Sequence, residues 1–438
     1  MTNMESTTLK ETSNVRRARW AIVSLMAALS FMSYVDRTVM SIAGPHIIKE
    51  FGFSETEMGT IFSAFILSYA LFMIPGGWLA DRFGPRLTLT VMGLGATVFT
   101  ALTAAASRIS VYIGVLPSFL AIRLAFGVCA APLYPACGRM TANWVPLSGR
   151  ARAQGIILAG APLGGAVTPV LVSWLIALFG WRVSFILAAM VTILVTVGWF
   201  WYVRDHPAET PNDFISKGSA DVEPIPNGDV ETKRTLSWHA LLKNRNLVLL
   251  AFGYFALNYF EYIFFYWIYY YFGEIRHLGQ SQSAIYTTAL LLTMMAMMPV
   301  GGWVADWLIP YWGVTTSRRT VSIAGLVLSA IFLYVGTNLT TPLAMVTLLS
   351  MALGFAASSE GPFWASVIEA GKGQVGAAGG IVNGVGNVGG LLAPMLTPYI
   401  AAHFGWTWGL HVGGLVVLSA AIAWCFIDLS QAEIVGSP

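Results

Sequence analysis

The sequence predicts an all-α membrane protein with twelve transmembrane helices in two six-helix bundles, related by a parallel pseudo-two-fold repeat with an offset of 225 residues. Two observations support this fold class. First, 56% of the 438 residues are hydrophobic and only 10% are charged, whereas soluble domains contain about 25% charged residues. Second, several short motifs of the first half recur in the second half at one common spacing.

Long uncharged stretches supply the predicted spans. Residues 87–106 and 321–342 contain no charged side chain, and about 20 apolar residues suffice for a helix to cross the hydrocarbon core. A soluble protein with a large core cannot use this many helices that are apolar on all sides, so a soluble fold is excluded. The spans are predicted at residues 19–43, 56–80, 87–107, 111–136, 151–178 and 183–203, followed by 247–272, 285–308, 320–337, 341–368, 375–402 and 407–427.

The one long polar stretch divides the chain into domains. We predict an N-terminal bundle at 1–203, a linker at 204–246 and a C-terminal bundle at 247–438. The linker mixes acids and bases with Pro, Gly, Asn and Ser, which is typical of a solvated connection. Its end, residues 236–243, is either a short amphipathic helix on the membrane surface or a plain linker.

Basic residues orient the helices. With twelve spans both termini lie on one side, and the segments on that side hold 18 of the 24 Lys and Arg residues. The positive-inside rule then places both termini on the cytoplasmic side of the membrane. We expect this membrane to be a bacterial inner membrane. The basic residues form short clusters beside apolar runs and no stripe, so nucleic-acid binding is not expected.

The internal repeat adds a constraint on architecture. Residues 76–81 (GGWLAD) match 301–306 (GGWVAD), and 179–181 (FGW) match 404–406, each without a gap. Because six is even, both halves enter the membrane from the same side and the repeat is parallel. Parallel repeats are found in transporters that bind substrate between two halves near the midplane. The repeat therefore indicates transport by alternating access.

Residues 77–86 (GWLADRFGPR) resemble the loop signature between helices 2 and 3 of the major facilitator family. This resemblance implies a breakable latch on the cytoplasmic side, because a carboxylate can bind fixed arginines and a helix N-terminus. The expected gating residues are Gly77, Asp81, Arg82, Gly84 and Arg86, with Asp306 at the repeat position of Asp81.

A narrower resemblance comes from residues 33–37 (SYVDR), 62–65 (FSAF) and 134–137 (YPAC). Together with Tyr69 and Arg123, they are similar to the anion:cation symporter family. That family includes galactonate, hexuronate and tartrate carriers and vesicular glutamate and sialic acid transporters. Its proton-coupled members carry a glutamate seven residues after the helix-4 arginine, where this chain has Ala130. The family's proton count therefore does not transfer directly.

Five charged residues lie well away from the ends of the predicted spans. At the bilayer centre each costs roughly 2.5–3.5 kcal/mol, so together they cost on the order of 12–17 kcal/mol if they face lipid. They are therefore expected to face a cavity or each other. These residues are Asp36, Arg37, Arg123, Glu261 and Glu360.

In the N-terminal half, Asp36 resembles the family's proton-binding carboxylate, and the alternative is a static ion pair. Arg37 and Arg123 keep their charge, and a planar guanidinium suits a carboxylate. We expect Arg123 to bind the acid group of the substrate and Arg37 to be a second contact or a gating partner, with structural pairing to Asp36 or Glu360 as the alternative. Tyr34 and Tyr69 are expected beside them.

In the C-terminal half, Glu261 lies at the repeat position of Asp36. It is interpreted as a proton site, a contact to substrate hydroxyls or a structural pair. Glu360 is a further candidate for proton coupling, in a helix that Gly361-Pro362 is expected to interrupt. The candidate substrate contacts of this half are Tyr262, Trp267, Trp364, Asn383 and Asn387, and for both asparagines hydrogen bonding between helices is the alternative.

These features predict a secondary active transporter of a small organic anion, such as a sugar acid, coupled to H+. The alternative is a proton-independent exchanger or facilitative carrier of aromatic or dicarboxylic acids. An enzyme is not expected, because no nucleophile–base pair, metal cluster or phosphate loop is present in the sequence. The expected partners are the anion, H+ and the lipid bilayer, without a cofactor, and a monomer suffices for the fold.

Overall fold

A computed structural model describes residues 2–53, 55–107, 114–207, 241–371 and 373–429. In these ranges the regular structure is entirely helical, and eleven stretches are long and apolar enough to cross a membrane. The all-α prediction is thus confirmed. The predicted linker lies largely outside the described residues, as does most of its segment 236–243.

The helices are numbered here in chain order. They are α1 (Thr2–Phe51), α2 (Glu55–Phe83), α3 (Pro85–Ala104), α4 (Val115–Ala130), α5 (Leu133–Trp144), α6 (Arg150–Phe179), α7 (Trp181–Tyr202), α8 (Arg245–Tyr270), α9 (Gln280–Thr337), α10 (Pro342–Ala357), α11 (Glu360–Ala370), α12 (Val375–Phe404) and α13 (Trp406–Cys425).

Helix α9 is longer than a bilayer is thick. Its 58 residues correspond to roughly 87 Å at 1.5 Å per residue, against about 30 Å of hydrocarbon. Gly313 has φ 75° and ψ 169°, so the backbone leaves the helical conformation there. A single glycine thus stands where the sequence predicts a loop between spans 285–308 and 320–337. Gly84, with φ 87°, separates α2 from α3 in the same way.

Two predicted spans are each divided into two helices. The span predicted at 111–136 breaks between α4 and α5, at Ala131-Pro132. The span predicted at 341–368 breaks between α10 and α11 at Ser358-Ser359, just before the expected Gly361-Pro362. Pro362 lies in the first turn of α11, where a missing backbone N–H leaves no intrahelical bond unmade.

A glycine packs against each break. A Cβ added to Gly76 of α2 would lie 2.8 Å from the Pro132 ring. A Cβ added to Gly301 of α9 would collide with the Ser358 backbone. Both contacts need a residue without a side chain, and the two glycines occupy equivalent positions of the sequence repeat.

The chain forms two compact units. One comprises Met1–Pro146 and Leu163–Asp229, and the other comprises Leu147–Pro162 and Val230–Pro438. The first turns of α6 thus belong to the second unit. The domain boundaries at 203 and 247 stay a prediction.

Candidate functional site

The first unit buries Asp36 inside α1. Its side chain is 0% exposed, and Thr192 of α7 donates a hydrogen bond of 3.0 Å from Oγ1 to Oδ2. The other carboxyl oxygen, Oδ1, has no hydrogen-bond partner among the described residues. Arg123 and Arg37 are the cations that act electrostatically on this carboxylate. Asp36 is therefore held by the Thr192 hydroxyl, with that of Thr100 beside it, and is balanced by cations at longer range.

Arg37 is surrounded by aromatic rings. Its guanidinium carbon lies 4.2 Å from the ring centre of Tyr69, 4.9 Å from that of Phe65 and 5.1 Å from that of Tyr34. Such contacts stabilise a cation in apolar surroundings. Nε and Nη2 of Arg37 are buried and have no hydrogen-bond partner among the described residues. The aromatic rings thus hold the Arg37 guanidinium in place, while its Nε and Nη2 donors stay available.

Arg123 has a similar arrangement on α4. Its side chain is 4% exposed, and its guanidinium carbon lies 5.6 Å and 5.9 Å from the ring centres of Phe126 and Phe185. Nε and Nη2 again have no hydrogen-bond partner in the described chain. No carboxylate oxygen of the described residues lies within the 4.0 Å of a salt bridge to either Arg37 or Arg123.

The position of the missing helix-4 acid is apolar. Ala130 is 1% exposed and belongs to a cluster with Phe65, Tyr69 and Phe126. The surroundings of Ala130 therefore fit a small apolar side chain. This finding agrees with the departure from the family pattern.

Two residues near this cluster escaped the sequence analysis. Thr192 donates a hydrogen bond to Asp36. The only signal for it in the sequence is a second threonine, Thr196, one helical turn later. Tyr134 at the start of α5 shares a 3.2 Å hydrogen bond with Ser30 and lies near Arg37. It was identified only as part of a family motif.

The second unit contains a hydrogen-bonded chain that ends on Glu360. Nε1 of Trp364 donates to Oη of Tyr254 at 3.1 Å, and this hydroxyl donates to Oε2 of Glu360 at 3.2 Å. The Tyr254 and Trp364 rings meet edge to face, with centres 5.9 Å apart. Glu360 is 3% exposed. The predicted residues Glu360 and Trp364 are thus brought together by Tyr254, whose hydroxyl had no assigned role.

Glu261 lies on the same face of α8 as Tyr254 and Asn258 and is 4% exposed. It accepts no hydrogen bond from a described residue, and Oε1 is buried without a partner. Tyr254, which lies on the Glu261 face of α8, donates to Glu360 at 3.2 Å, and the two carboxyl groups act on each other electrostatically. The two predicted glutamates therefore form one buried pair.

The two asparagines of α12 bond to each other. Nδ2 of Asn387 donates to the backbone oxygen of Asn383 at 2.8 Å and to its Oδ1 at 3.2 Å. Nδ2 of Asn383 is buried without a partner in the described chain. Gly386, on the same face, packs against the Tyr254 ring. This face of α12 therefore lies beside the α8 residues that bind Glu360.

Tyr262 and Trp267 make packing contacts. The Trp267 indole donates to the backbone oxygen of Pro394 at 3.2 Å and packs against Trp406, with ring centres 5.4 Å apart. Tyr262 packs against Gly390 of α12. The structure thus joins Trp267 to α12 and α13, and the substrate roles of both residues stay predictions.

The loop signature of the first unit is held by several contacts. Asp81 lies 3.9 Å from Nε of Arg139, and Gly77 is buried within α2. The Arg82 guanidinium lies over Trp78, 5.2 Å from the ring centre. The backbone N–H of Arg86 donates to Oδ1 of Asp205 at 2.8 Å, an acid that sequence reasoning did not single out.

Asp306 binds the beginning of α6 within the second unit. It accepts backbone N–H bonds from Arg152 at 2.8 Å and from Ala151 at 3.3 Å. These N–H groups belong to the first helical turn, which has no intrahelical acceptor and carries a positive partial charge. The predicted gating residue therefore holds a helix N-terminus.

A buried ion triad reinforces this attachment. Glu369 of α11 accepts from Nη1 of Arg150 at 2.7 Å and from Nη1 of Arg318 at 2.5 Å. The Glu369 and Arg318 side chains are 2% and 0% exposed. Sequence reasoning used the two arginines only to orient the spans and overlooked Glu369.

Comparison with known proteins identifies the family. The family profile described as Major Facilitator Superfamily matches residues 26–317 and 307–437. The hexuronate transporter of Bacillus subtilis is 30% identical over 95% of this chain and 96% of its own length. The D-galactonate transporter of Escherichia coli O6:H1 is 29% identical, over 94% and 96%. The probable galactarate/D-glucarate transporter of Escherichia coli K12 is 28% identical, over 95% and 96%.

Solved structures agree with this fold. The proton:xylose symporter bound to 6-bromo-6-deoxy-D-glucose superposes with a TM-score of 0.70 at 15% identity, covering 98% of this chain and all of that one. The human organic anion transporter described as TETRAN gives 0.65 at 16%, covering 93% and 99%. Both the predicted family and the prediction of a transporter rather than an enzyme are thereby confirmed. The chain is an integral membrane protein of the Major Facilitator Superfamily.

Proposed function

We propose that the protein is a secondary active transporter of a sugar-acid anion, driven by proton symport through alternating access. The observation that carries this proposal is the presence of two arginines beside Asp36, the buried Arg123 and the half-buried Arg37. In each, Nε and Nη2 are buried and have no hydrogen-bond partner among the described residues. The relatives' names, hexuronate and D-galactonate transporter, support the substrate class.

The two arginines suit a carboxylate and disfavour an aryl group. Their forked donors match carboxylate geometry. The rings of Tyr34, Phe65 and Tyr69 already have the Arg37 guanidinium over them, which reduces the aromatic surface available to a substrate ring. A dicarboxylate is the second candidate, because two separate guanidinium groups suit two acid groups and one relative is a probable galactarate/D-glucarate transporter.

We infer an architecture of twelve spans in two parallel repeats. The protein lies in a bacterial inner membrane with both termini on the cytoplasmic side. The break at Gly313 supports two spans within α9. The matching contacts of Gly76 and Gly301 at helix breaks support the repeat. We further infer that Asp81 and Asp306 belong to the cytoplasmic gate, since Asp306 holds the N-terminus of α6.

Asp36→Asn tests proton coupling, because the amide keeps the shape and carries no titratable proton. In proteoliposomes loaded with D-galactonate or D-glucuronate, we expect the variant to lose one coupled proton. At zero membrane potential, the accumulation ratio then falls about tenfold for each unit of imposed pH difference. Substrate counterflow is retained, which separates lost coupling from lost folding. Undiminished pH-driven accumulation by this variant contradicts the assigned role, and a wild type without any response supports the proton-independent alternative.

A thermal-shift screen tests the substrate class. Carboxylic acids are added to the purified protein, and binding to the folded state raises the unfolding temperature. Hexonates and hexuronates are expected to give larger shifts than phthalate at equal concentration. The neutral sugars galactose and glucose serve as controls that lack the acid group. A screen in which phthalate stabilises most would reverse the substrate assignment.

A further inference from the structure

The second unit holds two buried acids with no cation beside them. Glu360 and Glu261 are 3% and 4% exposed, and each lies on a predicted membrane span. The groups that act on them are each other's carboxyl and the Tyr254 hydroxyl. No Lys, Arg or His of the described chain takes part.

Among the described residues, the neighbouring helices supply only neutral groups to this pair. Asn258 of α8 donates to the Tyr254 backbone oxygen, and α12 presents the amides of Asn383 and Asn387. The histidine of α13, His411, bonds Thr337 and stacks on Tyr334 instead. If both carboxylates were ionised, neither charge would have a counterion here. A dry pair of acids avoids this state by holding one proton.

The hydrogen bonds place this proton on one of the two acids. Glu360 accepts from Tyr254, whose oxygen in turn accepts from Trp364, so donors stabilise a negative charge on Glu360. Glu261 receives no donor from a described residue, and Oε1 is buried and unpartnered. Glu261 is thus suited to be the acid and Glu360 the carboxylate.

We propose that the Glu261–Glu360 pair carries a second transported proton, taking over the task of the helix-4 acid that Ala130 replaces. This inference rests on the proposed symport. Release leaves two neighbouring carboxylates and one proton in water, and the repulsion between α8 and α11 makes rebinding favourable. Two protons with one monoanion make transport electrogenic.

Transport stoichiometry tests the proposal in proteoliposomes at zero membrane potential, with D-galactonate and D-glucuronate as probes. Each coupled proton multiplies accumulation about tenfold per unit of pH difference, so the wild type is expected to reach about 100-fold. Glu261→Gln and Glu360→Gln are each expected to fall to about tenfold, and Asp36→Asn with Glu261→Gln to lose the response. The matched control is Glu274→Gln, at an exposed glutamate in the π-helical turn Tyr271–Ile275 that follows α8.

The outcomes separate the two proposals. A wild type at about tenfold that responds to Asp36→Asn but not to Glu261→Gln overturns the second proton and leaves the symport intact. A wild type without any pH response overturns the symport itself. Infrared difference spectra between each purified variant and the wild type test the pair without substrate. Glu261→Gln should remove one protonated-carboxyl band that Glu274→Gln leaves unchanged. An unchanged band in Glu261→Gln excludes a proton on Glu261.

Discussion

Glu369→Gln is expected to destabilise the protein by about 3–5 kcal/mol, because breaking a buried ion pair leaves an uncompensated charge. Here one substitution affects two cations, Arg150 and Arg318, both bound to the same carboxylate. Arg318 is fully buried, so water cannot replace the lost acceptor. Arg150 also begins α6, whose N-terminus is held by Asp306. The attachment of the first turns of α6 to α9 and α11 should therefore weaken.

Thermal unfolding in detergent, followed by tryptophan fluorescence, measures this effect. The matched control is Glu50→Gln, which breaks an ion pair with Arg182 whose side chains are both 38% exposed. Exposed pairs contribute only about 0–1 kcal/mol, so the control should unfold close to the wild type. Equal shifts for both variants would show that the triad does not fasten this part of the fold.

Local patterns predicted much of the candidate site. Asp36, Arg37 and Arg123 were identified because a charge inside an apolar run is conspicuous. In the first unit Asp36 and Arg123 are buried and Arg37 is half-buried. Glu261 and Glu360 were identified for the same reason. Their pairing across 99 residues was not predicted, because helical periodicity relates only residues on one helix.

The ion triad and the helix breaks were harder to predict. Glu369 and Arg150 are 219 residues apart, and no local spacing links them. The break at Ala131-Pro132 lies within an apolar run, so a span defined by hydropathy passes over it. The break at Ser358-Ser359 was expected a few residues later, because Pro362 was taken as the interruption rather than as part of a first turn.

Arg123→Ala is expected to weaken binding of a sugar acid by about 2–5 kcal/mol, the cost of removing one member of a buried charged hydrogen-bonded pair. This corresponds to a loss of affinity from about 30-fold to several thousand-fold. Arg123→Lys should give a smaller loss, because it keeps the charge without the planar fork. Isothermal titration of D-galactonate and D-glucuronate measures both, and Arg182→Ala, at an exposed ion pair, is the control.

The alternative role of Arg123, a structural counterion of Asp36, predicts a different pattern. In that case Arg123→Ala lowers stability and binding because the negative charge of Asp36 loses its main counterion. Arg123 acts on Asp36 more strongly than Arg37 does. Adding Asp36→Asn to Arg123→Ala then removes both charges and should restore stability and binding. If Arg123 binds the substrate carboxylate, the double variant regains thermal stability while its affinity stays low. Separate recovery of folding and binding therefore distinguishes a ligand contact from an ion pair that serves the fold alone.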